Sequence, residues 1–547
     1  MNIHETLYKT YVNEQKDNLD APALYTRESI MITHRKLIEE IDKAAVGLLS
    51  YKNGDDLRIG ILSASSYEEA VFLFAASKIG ATTKFVDFSK NITEIIESIT
   101  ESSINVLAMG IEFLPMEQYI NPEGLPVIIL GGSSSERSNY HSYHDFIENS
   151  CVSSLQPAEY KENFCAVLIN IIGTTGAPKH IELSDRAINA AVEKMVKTDY
   201  PLSRENLILK IIPSHIGLGS ITTLYTGLIL GIPVVYLGGN SAQESIELFI
   251  GLLNGYEEFL KKHNLSSNTK LLLFSAPMYY RALCQFADHL QNLSFIGCML
   301  AAGSAMSKEE LEAMDSTFAA KGCTVPVLNG YGQNEMAGAV TLNQISMNRR
   351  GSAGIVVDGT QLKIVDISTG IQKCNNTPGK ILECSNSLFI GYENMPERTK
   401  ASFITDDTGN IWFDTTDVGY IDDDGFLFIT GRASRIIIRF DQKASLDKME
   451  SKIRMSKYVK EVGVISQKNI PYDAAIAFVV LNDESAGKNI TPEMILDDVQ
   501  SSQNYLTDLE KIDKLFIIDS LPYLSSGKID YRALEAQMPQ ESENDSY

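Results

Sequence analysis

The densest group of residues able to do chemistry in this chain is IIGTTGAPKH, Ile171 to His180, directly after an apolar run. Gly173 and Gly176 let the backbone come close to an anion, and Thr174, Thr175 and Lys179 can donate hydrogen bonds to phosphate oxygens. By itself the segment reads equally well as a polar loop between a strand and a helix. It is not a Walker P-loop, which ends in Gly-Lys-Ser/Thr. Two other spacings invite a chemical reading without sustaining it. Gly217 to Ser220 looks like a dinucleotide turn but lacks the third glycine, so packing around a pocket accounts for it better. His141 and His144 stand three apart in HSYH with no third ligand nearby, the pattern of a surface loop rather than a metal site.

Such segments need elements to hold them. Arg58 to Leu62 reads as a buried strand, Tyr67, Ala70, Val71, Phe74 and Ala75 recur at helical spacing, and Gly80 stops that helix ahead of a strand at Thr82 to Val86. This predicts a βαβ unit. The alternation recurs: a strand from Phe164 to Ile172 precedes a helix capped by Ser184, and a strand from Phe295 to Ala301 precedes one opened by the capping box Ser307 to Glu310. The expected fold class is therefore α/β. Between Gly351 and Thr430 the pattern changes to short β-rich runs, QLKIVD, KILEC and FLFITG, which predict a β subdomain. After Gly431 a helix from Ser445, strands at Glu461 to Ile465 and Ala475 to Leu481, and a helix opened by Thr491 and Pro492 predict a small α+β domain.

A chain of 547 residues suggests roughly three to four domain-sized units. With 44% hydrophobic and 21% charged residues it can bury a core along nearly its whole length, leaving a short acidic tail after Gln537 that carries Glu541, Glu543 and Asp545. The formal net charge of −23 disfavours a general nucleic-acid or anionic-membrane surface, so a phosphate ligand has to meet a local, built site. Seven cysteines, odd in number and scattered, argue against a disulfide framework or structural zinc, and a reducing cytoplasm fits them. The N-terminus is too polar for a signal peptide. Ile211 to Gln243 contains no Asp, Glu, Lys or Arg, but Pro213, His215, Pro233 and several glycines interrupt it, so it predicts a buried helix and strand rather than a membrane span.

Four more segments follow IIGTTGAPKH in order: NGYGQNEM (Asn329 to Met336), WFDTTDVGY (Trp412 to Tyr420), GRASRIIIRF (Gly431 to Phe440) and LPYLSSGKIDYRAL (Leu521 to Leu534). Together they resemble the adenylate-forming superfamily of acyl-CoA synthetases, peptide-synthetase adenylation domains and luciferases, over nearly the whole chain. The resemblance implies use of ATP and Mg2+: a carboxylic acid attacks the α-phosphate and releases pyrophosphate, then a thiol of coenzyme A or a separate carrier protein attacks the mixed anhydride. It implies that Thr174, Thr175, Gly176 and Lys179 grip phosphate, that Tyr331 stacks on adenine with Asn329 and Asn334 in the same nucleotide site, and that Glu335 holds magnesium. A hard cation and a purine suit those last two side-chain types. Asp417 matches the acid that binds both ribose hydroxyls, Arg432 a ribose and phosphate contact, and Lys528 the lysine that meets the acyl carboxylate and the α-phosphate. His215, Gly219, Gly303, Ser304 and Ala337 fall around the substrate. Taken singly, each polar residue would read as a turn residue, a surface ion pair or an exposed lysine.

The same resemblance implies a large N-terminal domain, 1–434, containing the β subdomain at about 351–430, a mobile C-terminal domain, 435–535, that turns about Arg435, and a tail at 536–547. The departures are informative. Ile171 and Ile172 stand where hydroxyl residues are usual, His180 replaces the glycine after the lysine, and Asn334 replaces the threonine before the acid, leaving fewer phosphate donors. Thr416 replaces a glycine, Arg435 an acidic hinge residue, Ile438 a lysine, and Asp441 a glycine near the thiol tunnel, all of which bear on the second half-reaction. Pro213 to Thr223 contains no aspartate to pair with a substrate amine, which favours a fatty or aryl acid. Two rivals remain: a degenerate protein that binds ATP or an acyl-adenylate without turnover, and an amino-acid-adenylating enzyme. No carrier-type serine segment follows Lys528, so any carrier is a separate chain.

Overall fold

In the computed structural model the predicted βαβ unit is present: Arg58–Leu62 pairs in parallel with Thr82–Phe85 across the helix Glu68–Ile79. Gly80 ends that helix at φ 66°, a left-handed conformation that suits a residue without Cβ. The structure describes residues 1–52, 56–64, 66–121, 124–132, 139–150, 155–171, 179–304, 306–439, 442–467, 473–501, 505–523 and 529–538, with backbone alone at 179, 242, 434, 438, 442 and 443. The predicted acidic tail from 539 onward lies outside them.

The chain divides into two units, Met1–Gln361 with Glu383–Phe413, and Leu362–Leu382 with Asp414–Tyr547. Among the described residues the first unit holds an eight-stranded sheet that runs from Gly391–Tyr392 through Lys179–Ser184, Cys165–Ile171, Thr82–Phe85, Arg58–Leu62, Val106–Gly110 and Val127–Leu130 to Tyr140–Ser142. It also holds a nine-stranded sheet whose centre is Val327–Gln333, Ile296–Ala301, Leu271–Ser275 and Leu207–Lys210. Ile296–Ala301 and Leu271–Ser275 read as continuous apolar runs because both faces of a largely parallel sheet are covered.

The strand near Phe164 does not lead straight into a helix. Cys165–Ile171 is followed by an antiparallel strand, Lys179–Ser184, and only then by the helix Asp185–Val196, whose N-cap is Ser184 as predicted. KHIELS does carry a strand's two-residue alternation, with Ile181 and Leu183 between His180, Glu182 and Ser184, but it is short and runs straight into the helix cap. His141 and His144 are exposed, but they lie on the strand Tyr140–Ser142 and the helix Tyr143–Glu148 rather than in a loop.

Within the uncharged stretch, Leu218–Tyr225 forms a wide π-helical turn that continues as Thr226–Leu230, stops at Gly231 (φ 68°), and gives way to the strand Val234–Tyr236. No described helix is long and apolar enough to cross a membrane. The second unit contains the antiparallel strands Val459–Gln467 and Ala474–Leu481, with Lys514–Ile517 parallel to the latter. The helices Leu446–Arg454 and Pro492–Gln500 cover that sheet, capped by Ser445 and Thr491 and packed through Met449, Ile453 and Ile495.

Gly219 shows how tightly the π-helical turn is held: a Cβ there would come 2.2 Å from the Pro213 carbonyl oxygen and 2.5 Å from that of Ile212. Gly219→Ala should lower unfolding free energy by about 1–3 kcal/mol through backbone displacement. Gly251, mid-helix with nothing near the position of its missing Cβ, is the contrast, and Gly251→Ala should raise it by about 0.5–1 kcal/mol. Denaturant midpoints at constant slope check both.

Candidate active site

The segment carrying Tyr331 and Glu335 is a strand that turns back on itself. Val327–Gln333 pairs antiparallel with Gly338–Leu342, setting Tyr331 opposite Thr341, with a register shift between Tyr331 and Gly332. A side chain at Gly332 would strike the Gly338 carbonyl at 2.0 Å, so the close return needs glycine. The tip is a single turn, Asn334–Met336, closed by buried Ala337 at φ 50°. Tyr331 accepts a hydrogen bond from Gln333 Nε2 at 3.2 Å. Glu335 is partly exposed; its carbonyl accepts from the Phe389 N–H at 2.8 Å and its carboxylate from the Tyr392 hydroxyl at 3.3 Å.

Asn334 ties three distant stretches together. Its Nδ2 donates to the Asn170 carbonyl at 3.2 Å, at the end of the strand from which the Gly173–Lys179 segment departs. Its Oδ1 accepts from the Gly217 N–H at 3.3 Å. Asn329 is buried; its Nδ2 donates to the Ser352 carbonyl at 3.2 Å, and its Oδ1 has no hydrogen-bond partner among the described residues.

Around the stretch predicted to meet substrate, buried charges come in pairs. His215 Nε2 lies 3.2 Å from Asp87 Oδ1, with Phe88 edge-on to its ring at 5.1 Å. Burial pushes the His215 imidazole below its ordinary range, against the pull of Asp87. Lys210 Nζ lies 2.7 Å from Glu69, which also accepts from the Ser214 hydroxyl at 2.8 Å. Gly303 (φ 99°) and Ser304 are exposed just after the strand Ile296–Ala301.

In the second unit Asp417 and Arg432 are cross-strand partners on Ile411–Ile421 and Leu427–Arg432, with Nε 3.3 Å from Oδ1. Asp417 is buried and its N–H donates to the Thr415 hydroxyl at 3.1 Å. Arg435 pairs with Asp447 and, at 2.5 Å, with Glu450, while its guanidinium lies 3.8 Å from the Tyr531 ring centre. Thr174, Thr175, Gly176, Lys528, Ile172, Asp441 and the side chains of Lys179 and Ile438 lie outside the described residues.

Residues 12–393 match the family model described as AMP-binding enzyme. The chain belongs to the AMP-binding enzyme family. The 4-coumarate–CoA ligase 5 of Oryza sativa subsp. japonica is 24% identical over 505 residues, 91% of this chain and 87% of the relative. The ATP-bound structure of MatB from Rhodopseudomonas palustris superposes with a TM-score of 0.81 at 20% identity, over 98% of this chain and 99% of that one. An anthranilate CoA ligase in complex with anthranoyl-AMP gives the same TM-score, 0.81, at 20% identity over 98% of both chains. The recognition by motif order and the α/β fold class both hold for this AMP-binding enzyme.

Sequence reasoning missed two sets of residues. Asp87 and Glu69, the acids that meet His215 and Lys210, carry no motif signal. Neither do Ser98, Ser102 and Glu393, which converge on His180, nor Arg58, which holds Glu393; the one available pointer was His180 itself, a departure where the motif has glycine.

Thr416 adds a physical cost to its departure. It sits at φ 61° beside Asp417, in the left-handed region that a β-branched side chain resists. Thr416→Gly should relieve about 1 kcal/mol of strain, read as a higher denaturant midpoint with Asp417 and Arg432 unchanged.

Proposed function

We propose that this enzyme activates a carboxylic acid, aryl or fatty, with ATP to give an acyl-adenylate and passes the acyl group to a thiol of coenzyme A or of a separate carrier protein. The observation that carries the reading is the Asn334 clip. It bonds the base of the phosphate-gripping segment at Asn170 and the substrate stretch at Gly217, one residue from Glu335. Three segments far apart in sequence thus meet at Asn334, which supports nucleotide, metal and acid sharing that place.

The residues fit the nucleotide. The unused, buried Oδ1 of Asn329 is an acceptor suited to an amino donor such as that of adenine. Glu335 is an oxygen ligand of the kind magnesium takes together with substrate phosphates, and the ion supplies charge neutralisation on the triphosphate when bound. Asp417 suits the ribose hydroxyls, with Arg432 beside it for a phosphate oxygen. Thr174, Thr175, Gly176 and Lys179 would hold the phosphates, and Lys528 would steady the carboxylate and α-phosphate as they approach.

The pairing of buried charges supports an acid with an uncharged body. Asp87 is taken by His215 and Glu69 by Lys210 and Ser214, so neither buried acid is left to hold a substrate amine. An aryl acid is the first choice, in line with the 4-coumarate and anthranilate ligases that the chain resembles. We assign His215, Gly219, Gly303, Ser304 and Ala337 to that side of the site. We place the domain boundary near 434–435, with a mobile domain at 435–535 that pivots at Arg435, and the protein in the cytoplasm.

Lys528→Ala should lower acid-dependent pyrophosphate exchange by about a hundredfold or more while ATP affinity changes little, because the lysine acts on developing charge rather than on adenosine. Equal losses in exchange and affinity would remove it from that role, and absence of exchange across fatty, aryl and amino acids in the wild type would overturn the reading. For the second half-reaction, Asp441→Gly should speed transfer to coenzyme A severalfold with adenylation unchanged, since coenzyme A is strongly anionic. Single-turnover transfer from preformed acyl-adenylate checks it.

A further inference from the structure

We propose that His180 is a positioning residue which, through Glu393, fixes the base of the phosphate-gripping segment and the strand that holds Glu335. The inference rests on the nucleotide reading above. His180 follows Lys179, and the register sets Asn170 opposite His180 and Ile171 opposite Lys179, so this pair of strands frames the segment 172–178. On its other side the same strand pairs with Gly391–Tyr392, and the Glu393 N–H donates to the His180 carbonyl at 2.9 Å.

The imidazole is 4% exposed, and every partner it has is internal. Nδ1 lies 2.9 Å from Glu393 Oε2 and 3.2 Å from the Ser102 hydroxyl, and Nε2 lies 3.3 Å from the Ser98 hydroxyl. Glu393 is itself held by Arg58 Nη1 at 2.5 Å and the Ser102 hydroxyl at 3.0 Å. Lys84, buried on the neighbouring strand Thr82–Phe85, donates to Asn170 Oδ1 at 2.5 Å. A neutral ring with its proton on Nδ1 uses all of this: it donates to Glu393 and accepts from Ser98. Burial and the charge of Lys84 disfavour a second proton and lower the His180 pKa, against the pull of Glu393. Burial would raise the Glu393 carboxyl, but donation from His180 and Ser102 and the Lys84 charge hold it below its ordinary range.

One short stretch therefore serves both sides of the phosphate chemistry. Glu393 holds His180, Tyr392 donates to the Glu335 carboxylate, and Phe389 donates to the Glu335 carbonyl. Being buried among these groups, His180 acts through its neighbours and not by contact with phosphate.

The test measures Mg–ATP affinity by calorimetry alongside the KM for acid in pyrophosphate exchange. His180→Ala should weaken Mg–ATP binding about tenfold and leave the acid KM within about twofold. His180→Asn, which keeps a donor toward Glu393, should recover affinity to within about threefold of wild type, and Ser98→Ala, which removes only the donor to Nε2, should cost about twofold to threefold. Should His180→Ala fail to fold, the other two variants decide. Unchanged Mg–ATP affinity in a folded His180→Ala, or in Ser98→Ala where His180→Ala does not fold, parallel losses for ATP and acid, or a folded His180→Asn that binds Mg–ATP about tenfold or more weaker than wild type would overturn the proposal. A wild type that binds Mg–ATP but exchanges with no acid would sink the proposed function while these affinities still judge His180; a wild type that binds no Mg–ATP would overturn both.

Discussion

A carboxylate shut away from water keeps its charge only when donors surround it, and Glu393 is such a carboxylate. Arg58, Ser102 and His180 reach it from a central strand, the end of the helix Ile92–Glu101 and the strand Lys179–Ser184. Those three elements cannot shift independently without stranding a buried charge. The stretch from Phe389 to Glu393 is fixed by that demand, and Glu335 is fixed by that stretch in turn. A satisfied buried polar cluster thus joins the strands on either side of residues 172–178.

The departures from the family pattern in the first unit acquire physical meaning in this setting. Asn334 takes the place of a hydroxyl residue and spends both ends of its amide on backbone groups, a donor to Asn170 and an acceptor from Gly217. A hydroxyl is too short for that bridge. His180 likewise replaces a glycine with a side chain that has its own buried partners. Both side chains are taken up by the protein's own frame.

The second unit is organised around paired charges as well. Arg435 stands where an acid is usual and is bound to two acids of one helix, Asp447 and Glu450. Glu450 also accepts from the Val464 N–H and the Tyr531 hydroxyl, so the arginine, the helix, the sheet and the segment that follows Lys528 share one cluster. Reversing the sign at position 435 thus comes with local partners of the opposite sign. Thr416 keeps its positive φ at a cost, although its N–H donates to Asp414 Oδ1 at 2.9 Å.

The βαβ unit around Gly80, the caps at Ser184, Ser445 and Thr491, and the buried helix and strand within Ile211 to Gln243 were all legible in the sequence, because periodicity, capping and glycine act over a few neighbouring residues. The family was legible too, from five segments whose order survives large separations. The strand Lys179–Ser184 was not, since its short alternation runs straight into a helix cap and the partners of His180 lie 78 to 213 positions away. For the same reason the sequence could name Asn334, His180 and Arg435 only as departures. That Asn334 is a clip, that His180 is buried against Glu393, and that Arg435 lies between two acids was decided by tertiary structure alone, because a hydrogen bond or ion pair is set by distance in space and not along the chain.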